Sequence, residues 1–355
     1  MIAVDRETVQ AAAYGGALLG GGGGGSISEG LQLGQLAIEV GCPRLVNLDE
    51  LGDEVILVTV SAVGAPSARD QYLEPIHYVQ ALQLLIERLN EPVAGLITNE
   101  NGGLATLNGW FQSAVTGIPV VDAPCNGRAH PTGAMGSMGL DEMDGYVSRQ
   151  AAVGGDPNVH RHVRLYAEGS LDSVAHLVRQ AAVEAGGLVA AARNPVTVAY
   201  AREKAAPGAL RQAIEVGRAL LAMEGPLDAA QAACDLLGGE VICQASVQRV
   251  TLQTKGGFDV GQIDLQGGYE LTFWNEYMTL EREGQRLATF PDLIATLSAD
   301  EVRPLTSAEM QDGQEVLLIR VLKEKLRLGA GMRRPELFRI AEEAVEKEMV
   351  RYVFG

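Results

Sequence analysis

Several residue types are scarce in this chain of 355 residues, and the shortage of positively charged residues argues against two kinds of partner. Aromatic side chains make up 5% of the chain and there are 5 histidines. Only 28 lysines and arginines stand against 45 aspartates and glutamates, which gives a formal net charge of −17. Such a charge repels phosphate backbones and anionic lipid alike, so we expect neither a nucleic-acid nor a membrane partner.

Long apolar runs are also missing. No stretch approaches the roughly 20 residues of a membrane span. The first ten residues, MIAVDRETVQ, have neither the basic start nor the apolar core of a signal peptide, so we expect a cytoplasmic protein. The 4 cysteines lie far apart with no CxxC spacing, which indicates neither a disulfide framework nor a thiolate zinc site.

What the chain does contain is an alternation of strand and helix patterns over residues 53–133. Apolar β-branched runs predict strands in DEVILVTVSAVGAP, PVAGLITNENGG and IPVVDAPCNGRAHPTG, and helical periodicity predicts helices in PIHYVQALQLLIERLN and LATLNGWFQSAVTG between them. This order is typical of a doubly wound α/β domain with a mainly parallel sheet.

The pattern changes twice further along. Residues 167–225 are predicted to be largely helical, and after residue 238 short strands alternate with glycine turns. We therefore predict an α/β domain over 1–237 and a smaller all-β, barrel-like domain over 238–326. A closing amphipathic helix over 333–355 is expected to pack on the first domain.

Polar residues follow each of the three predicted parallel strands. Ligands of open parallel sheets bind outside the carboxyl ends of the strands, so we expect these loops to face one crevice, although such residues also satisfy turns. They are Gly64, Ser67, Arg69 and Asp70, then Asn99, Glu100 and Asn101, then Asp122, Cys125, Asn126, Arg128 and His130. Cys125 would be a nucleophile there if Arg128 or His130 lowered the pKa of its thiol.

Six consecutive glycines, Gly20 to Gly25, lie between two helical stretches. No strand precedes them and no Lys-Ser/Thr pair follows, so neither the dinucleotide fingerprint nor the P-loop is satisfied. One interpretation is a main-chain loop that binds an anionic or carbonyl-bearing ligand at a helix start capped by Ser26 or Ser28. The other is a plain hinge.

Two histidines in NVHRHVRL, His160 and His162, would point to one face if the segment were a strand. Zinc sites sometimes use this spacing, but most such pairs bind no metal.

An ordered set of short motifs resembles the S-methyl thiohydantoin desulfurase family, formerly a domain of unknown function associated with hydantoinase and oxoprolinase genes. The motifs are GGALLGGGGGG, VSAVGAPSA, IPVVDAPCNGRAHP, WNEYMTL and FPDLIATLS, and together they span nearly the whole chain. The resemblance implies a three-layer α/β domain followed by a β-barrel domain. Asp122, Gly127, Arg128 and Ala129 match the family pattern, whereas His130 replaces an aromatic residue and Thr132 a glutamate.

The resemblance further implies that water adds to the ring carbon between the two nitrogens of the substrate and that methanethiol leaves, which gives a hydantoin. In that chemistry Asp122 or Glu100 would be the base, Arg128 would hold a carbonyl or carboxylate, His130 would be an acid, and the glycine N–H groups would stabilise charge. Further substrate contacts are expected from Gly22, Gly23, Gly24, Gly25, Ser26, Asn99, Asn101 and Asn126. A divalent metal such as zinc would be bound by His130, His160, His162 and Asp122.

The expected partner is a small heterocyclic substrate, and the expected assembly is a homo-oligomer. A rival hypothesis is a non-catalytic, hydantoin-binding subunit of a hydantoinase- or oxoprolinase-type enzyme, which would need no base and no metal. A nucleotide-binding enzyme is a weaker third hypothesis, because the glycine run lacks the required strand.

Overall fold

A computed structural model describes residues 2–65 and 68–355. Its first sheet has eight strands in the order β1-β2-β5-β4-β3-β8-β6-β7. The strands are β1 (Ile2–Ala3), β2 (Arg44–Val46), β3 (Ile56–Gly64), β4 (Val93–Thr98), β5 (Val120–Val121), β6 (Ser148–Gly154), β7 (Val163–Gly169) and β8 (Leu188–Thr197). The three strands predicted from the sequence, β3 to β5, pair in parallel as expected, together with β2. The remaining strands pair antiparallel, so the complete sheet is mixed.

Helices cover both faces of this sheet, which confirms the three-layer α/β fold. They are α1 (Arg6–Gly20), α2 (Ile27–Val40), α3 (Pro75–Ile86), α4 (Trp110–Thr116), α5 (Leu171–Glu184), α6 (Val198–Lys204), α7 (Ala209–Leu221) and α8 (Pro226–Leu237). Adjacent residues of β6 point to opposite faces, so Val153 packs with α3 and Ala152 packs with α5.

β1 and β2 are not predicted from the sequence, and three further strands and one helix boundary also differ from the prediction. β8 lies inside the stretch predicted to be helical. Its Ala-rich segment LVAAAR has high helix propensity, which explains the prediction. In the structure this segment is a strand because it pairs with both β3 and β6. β6 and β7 were not predicted as strands either. In the predicted helix over 104–117, Gly109 adopts φ 94°, so α4 begins only at Trp110.

The second sheet is antiparallel throughout and confirms the predicted all-β domain; its strand order is β13-β12-β11-β10-β9-β16-β14-β15. Its strands are β9 (Glu240–Lys255), β10 (Phe258–Leu265), β11 (Tyr269–Trp274), β12 (Glu276–Arg282), β13 (Gln285–Thr289), β14 (Leu293–Ser298), β15 (Pro304–Leu305) and β16 (Glu315–Val321). The sheet curls until the Tyr277 hydroxyl lies 2.9 Å from Oγ1 of Thr296. It is barrel-like, but over the described residues its hydrogen-bonded ladder does not close.

Helices of the first half join the two sheets into one core. Leu18 and Leu19 at the end of α1, together with α7 and α8, pack against Leu293 and Leu317 of the second sheet. The chain closes with two helices, α9 (Pro335–Val345) and α10 (Val350–Phe354), instead of the single helix expected. These pack mainly on the second sheet, with Met135 contributed from the first half.

Among the described helices none is both long and apolar enough to cross a membrane.

Candidate functional site

A cleft lies at the carboxyl ends of β3 and β4, between the first sheet and the second. It encloses about 780 Å³, including solvent at its mouth. Its polar lining comes from both halves of the chain and includes Ser61, Asn99, Glu100, Asn108, His130, Arg179, Arg193, Asn275 and Glu276. The crevice predicted from the strand-end loops is therefore where the structure has its cleft.

Glu100 and His130 form the central pair of this cleft. Oε2 of Glu100 lies 3.3 Å from Nε2 of His130 and accepts the His130 backbone N–H at 3.1 Å. Nδ1 of His130 lies 3.0 Å from the Thr132 carbonyl, which can only accept, so the ring proton is on Nδ1. Nε2 is then free to accept a hydrogen bond, from the Asn99 amide at 3.1 Å or from a protonated Glu100.

The pKa values of this pair are shifted in opposite directions. Burial raises the pKa of Glu100 to about 7. Burial, assisted by the charge of Arg193, lowers the pKa of His130 to about 3. The imidazole is therefore neutral at physiological pH, while the carboxyl group exchanges its proton close to neutrality, as suits a general acid–base group.

Two arginines supply positive charge to the cleft. Arg193, on β8, donates from Nη2 to Oδ1 of Asn99 at 2.8 Å. Arg179, on α5, donates to the carbonyls of Gly64 and Gly257 and lies 4.1 Å from the centre of the Phe258 ring. Neither arginine was predicted from the sequence as a site residue. A lone arginine in the apolar run LVAAARNPV was the available signal, since an unpaired charge is rarely buried without a role.

The second sheet contributes a carboxyl group, Glu276, to the same cleft. Its side chain is 2% exposed, and Oε2 has no hydrogen-bond partner in the described part of the chain. Burial, with repulsion from Glu100, raises the pKa of Glu276 well above its ordinary value. Glu276 was not predicted from the sequence as a site residue; it is the first residue of β12, whose sequence EYMTLER contains further polar residues.

The glycine run connects α1 to α2, and Ser26 caps α2 as predicted, accepting the Glu29 N–H at 3.2 Å. Gly24 and Gly25 line the cleft. Gly22, Gly23 and Ser26 line an adjoining polar cavity. The protein itself approaches the bare main chain closely: a Cβ on Gly23 would lie 2.0 Å from Oε1 of Glu276.

Comparison with known families identifies the chain. The model described as "S-Me-THD-like, N-terminal domain" matches residues 7–159, and the model described as "S-Me-THD-like, C-terminal domain" matches residues 170–333. The chain belongs to the S-Me-THD-like family. This confirms the resemblance drawn from the sequence motifs.

One solved structure shares the fold of this S-Me-THD-like chain. It is an X-ray crystal structure of a protein from Chromobacterium violaceum, with a TM-score of 0.71 and 18% sequence identity. The match covers 98% of this chain and 99% of the other. A comparison with curated protein sequences gave no significant match.

Asp122, predicted as a base, turns away from the cleft of this S-Me-THD-like protein. Its Oδ1 accepts the backbone N–H groups of Leu210 and Arg211 at 2.8 and 3.4 Å, and Oδ2 lies 3.1 Å from Nε of Arg211. The carboxylate therefore binds the exposed N–H groups at the start of α7. Asp122 is not among the residues that line the cleft.

Arg128 is fully buried between the two sheets and does not line the cleft. Its Nη1 donates to the Asp292 carbonyl, and its guanidinium carbon lies 4.5 Å from the centre of the Phe290 ring. Nε and Nη2 have no hydrogen-bond partner over the described ranges. Burial lowers its pKa to about 10, so the group stays charged at neutral pH beneath the glycine run.

The other predicted residues of the third loop brace the backbone. Cys125 lies 3.3 Å from the Thr59 hydroxyl, and burial raises the pKa of its thiol to about 11, the opposite of what a nucleophile needs. Asn126 joins the Arg128 carbonyl to the Gly329 N–H. In the second loop, Asn101 likewise donates to two backbone carbonyls at 3.0 Å.

The four predicted metal ligands do not converge. His160 ends a short 3-10 turn at φ 58°, and β7 begins only at Val163, so the histidine pair is not on a strand. Within the described residues, no cluster of three or more His, Cys, Asp or Glu side chains could hold a metal ion. Of the first-loop residues, Gly64 lines the cleft, Asp70 pairs with Arg161 at 2.8 Å on the surface, and Ser67 lies outside the described residues.

Proposed function

We propose that this protein is a hydrolase that acts on a hydantoin-like five-membered ring, removing methanethiol from an S-methyl thiohydantoin to leave the hydantoin. Family membership supports an enzyme of this general kind. The observation that carries the proposal is the Glu100–His130 pair, because its carboxyl group has a pKa of about 7 and faces a cleft of the right scale for a small ring.

In the proposed reaction, ionised Glu100 takes a proton from water while the water oxygen bonds to the ring carbon between the two nitrogens. The resulting tetrahedral carbon carries OH and SCH₃. Its C–S bond then breaks, the sulfur leaves with the electron pair, and the thiolate takes the proton back from Glu100. As the hydantoin carbonyl forms, the hydroxyl group loses its proton, which balances the proton that the ring nitrogen takes up when its C=N bond opens, and the enzyme regains its starting state.

The surroundings of Glu100 support this cycle. Neutral His130 presents its Nε2 lone pair to the carboxyl group and stabilises the protonated form between the two proton transfers. Arg193 holds Asn99 in place, and its positive charge helps to keep His130 neutral.

Release of the alkanethiol from a panel of S-alkyl thiohydantoins tests the proposal, with a Glu100→Gln variant as the central measurement. Gln cannot accept and return the proton, so we expect kcat to fall by about 10²-fold or more. Glu91→Gln, at an exposed position beyond the cleft, is the matched control and should keep full activity.

Calorimetry with the hydantoin product separates this enzyme from a binding subunit. A wild-type protein that binds hydantoin but releases no thiol from any member of the panel would replace the hydrolase with the binding-subunit hypothesis. Full activity of Glu100→Gln would remove the catalytic role from this carboxyl group.

A further inference from the structure

Glu276 is a second buried carboxyl group that the reaction above does not use. It belongs to β12 of the second sheet, whereas Glu100 follows β4 of the first, yet both line the same cleft. Burying a carboxyl group without a hydrogen-bond partner is energetically costly. Oε2 of Glu276 is buried and has no hydrogen-bond partner among the described residues. A ligand in the cleft would supply the missing partner.

The turn that carries Glu276 is held rigidly. Asn275 adopts φ 59° between β11 and β12, and Trp274 pairs directly with Glu276 across this turn. Oδ1 of Asn275 accepts the Asp259 N–H at 2.9 Å, its own N–H donates to the Asp259 carbonyl at 2.7 Å, and its carbonyl accepts the Ser307 hydroxyl. Such bracing fixes the direction in which the next side chain leaves the strand.

The glycine run makes room for this side chain. A Cβ on Gly23 would lie 2.0 Å from Oε1 and 2.6 Å from the carboxyl carbon of Glu276. Any larger residue at that position would push the carboxyl group out of its place. The absence of a side chain at Gly23 therefore leaves the space that the Glu276 carboxyl group occupies.

We propose that Glu276 is a catalytic acid that binds and protonates the ring nitrogen next to the reacting carbon, so that the substrate class is the cyclic S-alkyl isothioureas. This rests on the proposed function. The substrate C=N nitrogen carries a lone pair that a carboxylic acid can protonate, and the resulting cation is more readily attacked by water at carbon.

The proton balance closes over one turnover. Glu276 gives its proton to the ring nitrogen, and Glu100 takes one from the attacking water. When the C–S bond breaks, the thiolate receives the proton from Glu100, and the hydroxyl group on carbon returns a proton to Glu276 as the carbonyl forms. The two carboxyl groups thus act on different atoms, one on nitrogen and the other on oxygen and sulfur.

Glu276→Gln tests this role in the full-length protein. The amide can still hydrogen-bond but cannot protonate nitrogen, so we expect kcat at pH 7 to fall at least about 10²-fold while calorimetric affinity for the hydantoin product changes less than about fivefold. The deficit should narrow as the pH falls, because solvent acid then protonates the ring. Glu324→Gln, at an exposed position, is the matched control.

Gly23→Ala provides a second variant that leaves the carboxyl group chemically intact and displaces it. We expect a similar loss of kcat, and the double variant Gly23→Ala/Glu276→Gln should be no worse than either single one. Gly20→Ala is the control within the same run, because a Cβ there lies 3.3 Å or more from its neighbours.

The outcomes separate the two proposals. If the wild type releases thiol and Glu276→Gln does so within threefold of it, the role of Glu276 is refuted and the hydrolase stands. A kcat deficit that stays constant from pH 5 to 8 would also refute it. If the wild type releases no thiol at all, the proposed function itself fails.

Discussion

The Glu100 carboxyl group shows how much the surroundings of one side chain decide its chemistry. It stands beside Asn99 and His130 at the end of a parallel strand, and 14% of its side chain remains exposed to the cleft. An exposed glutamate would ionise far below neutral pH, whereas burial raises the pKa of this carboxyl group to about 7. The same shift has a consequence for stability that can be measured without any substrate.

The folded protein should lose stability through Glu100 as the pH rises. The pKa of this group is 4.5 in the ordinary case and about 7 in the fold, so the folded state binds the proton more tightly. Its contribution is complete below pH 4.5 and is lost as the pH rises through 7. The free energy of unfolding of Glu100→Gln minus that of the wild type should therefore rise by about 3 kcal/mol between pH 4.5 and pH 8. Urea denaturation at both pH values measures this difference, and an equal difference at the two would contradict it.

Among the secondary-structure elements, α7 shows how a polar loop residue can be misinterpreted from sequence. Asp122 follows β5 directly, where a ligand-binding carboxylate is expected, but it accepts N–H groups at the start of α7. Gly208, which occupies the capping position of that helix, has no side chain that could do so. Asp122 acts as the missing cap from a distant part of the chain.

Asp122→Ala should accordingly destabilise the fold and spare the chemistry. Loss of the cap and of the ion pair with Arg211 should lower the free energy of unfolding by about 2 kcal/mol. Turnover per folded molecule should stay within threefold of wild type, as measured by thiol release. Asp235→Ala, on α8, is a control that should change neither quantity. A turnover loss of 10²-fold in a stable Asp122→Ala protein would restore the catalytic role.

Local sequence pattern located part of the cleft. The end of β4 placed Asn99 and Glu100 correctly, because polar residues after a buried parallel strand must lie at its carboxyl edge. Arg193 and Glu276 could not be found in this way, since one sits in an Ala-rich strand that resembles a helix and the other comes from a different sheet. Their approach to Glu100 depends on tertiary packing, which no short sequence window contains.

The whole molecule behaves as one packed body with two sheets. Side chains of α1, α7 and α8 are buried against the second sheet. The glycine run also accepts two backbone hydrogen bonds from the second half of the chain. The Tyr277 N–H donates to the Gly21 carbonyl and the Ser307 N–H donates to the Gly22 carbonyl, both at 2.8 Å. Cores that share this much surface are expected to unfold together.

The two tryptophans allow a direct test of this cooperativity. Trp110 is buried in the first half, and Trp274 lies against Phe258 in the second. Trp110→Phe and Trp274→Phe each leave a single fluorescent reporter. With each variant, the fluorescence transition in urea should coincide with the loss of far-ultraviolet circular dichroism of that same variant. Separate midpoints of the two signals would show that the halves unfold independently.

Where the glycine run meets the loop after β4, two bare backbones interlock. A Cβ on Gly24 would lie 2.5 Å from Cα of Gly102, and one on Gly102 would lie 2.3 Å from Cα of Gly24. A change at one position cannot be relieved by a change at the other, because both add atoms to the same space. In a library that varies one codon at a time, or even both codons together, we expect these two positions to return only glycine among active clones.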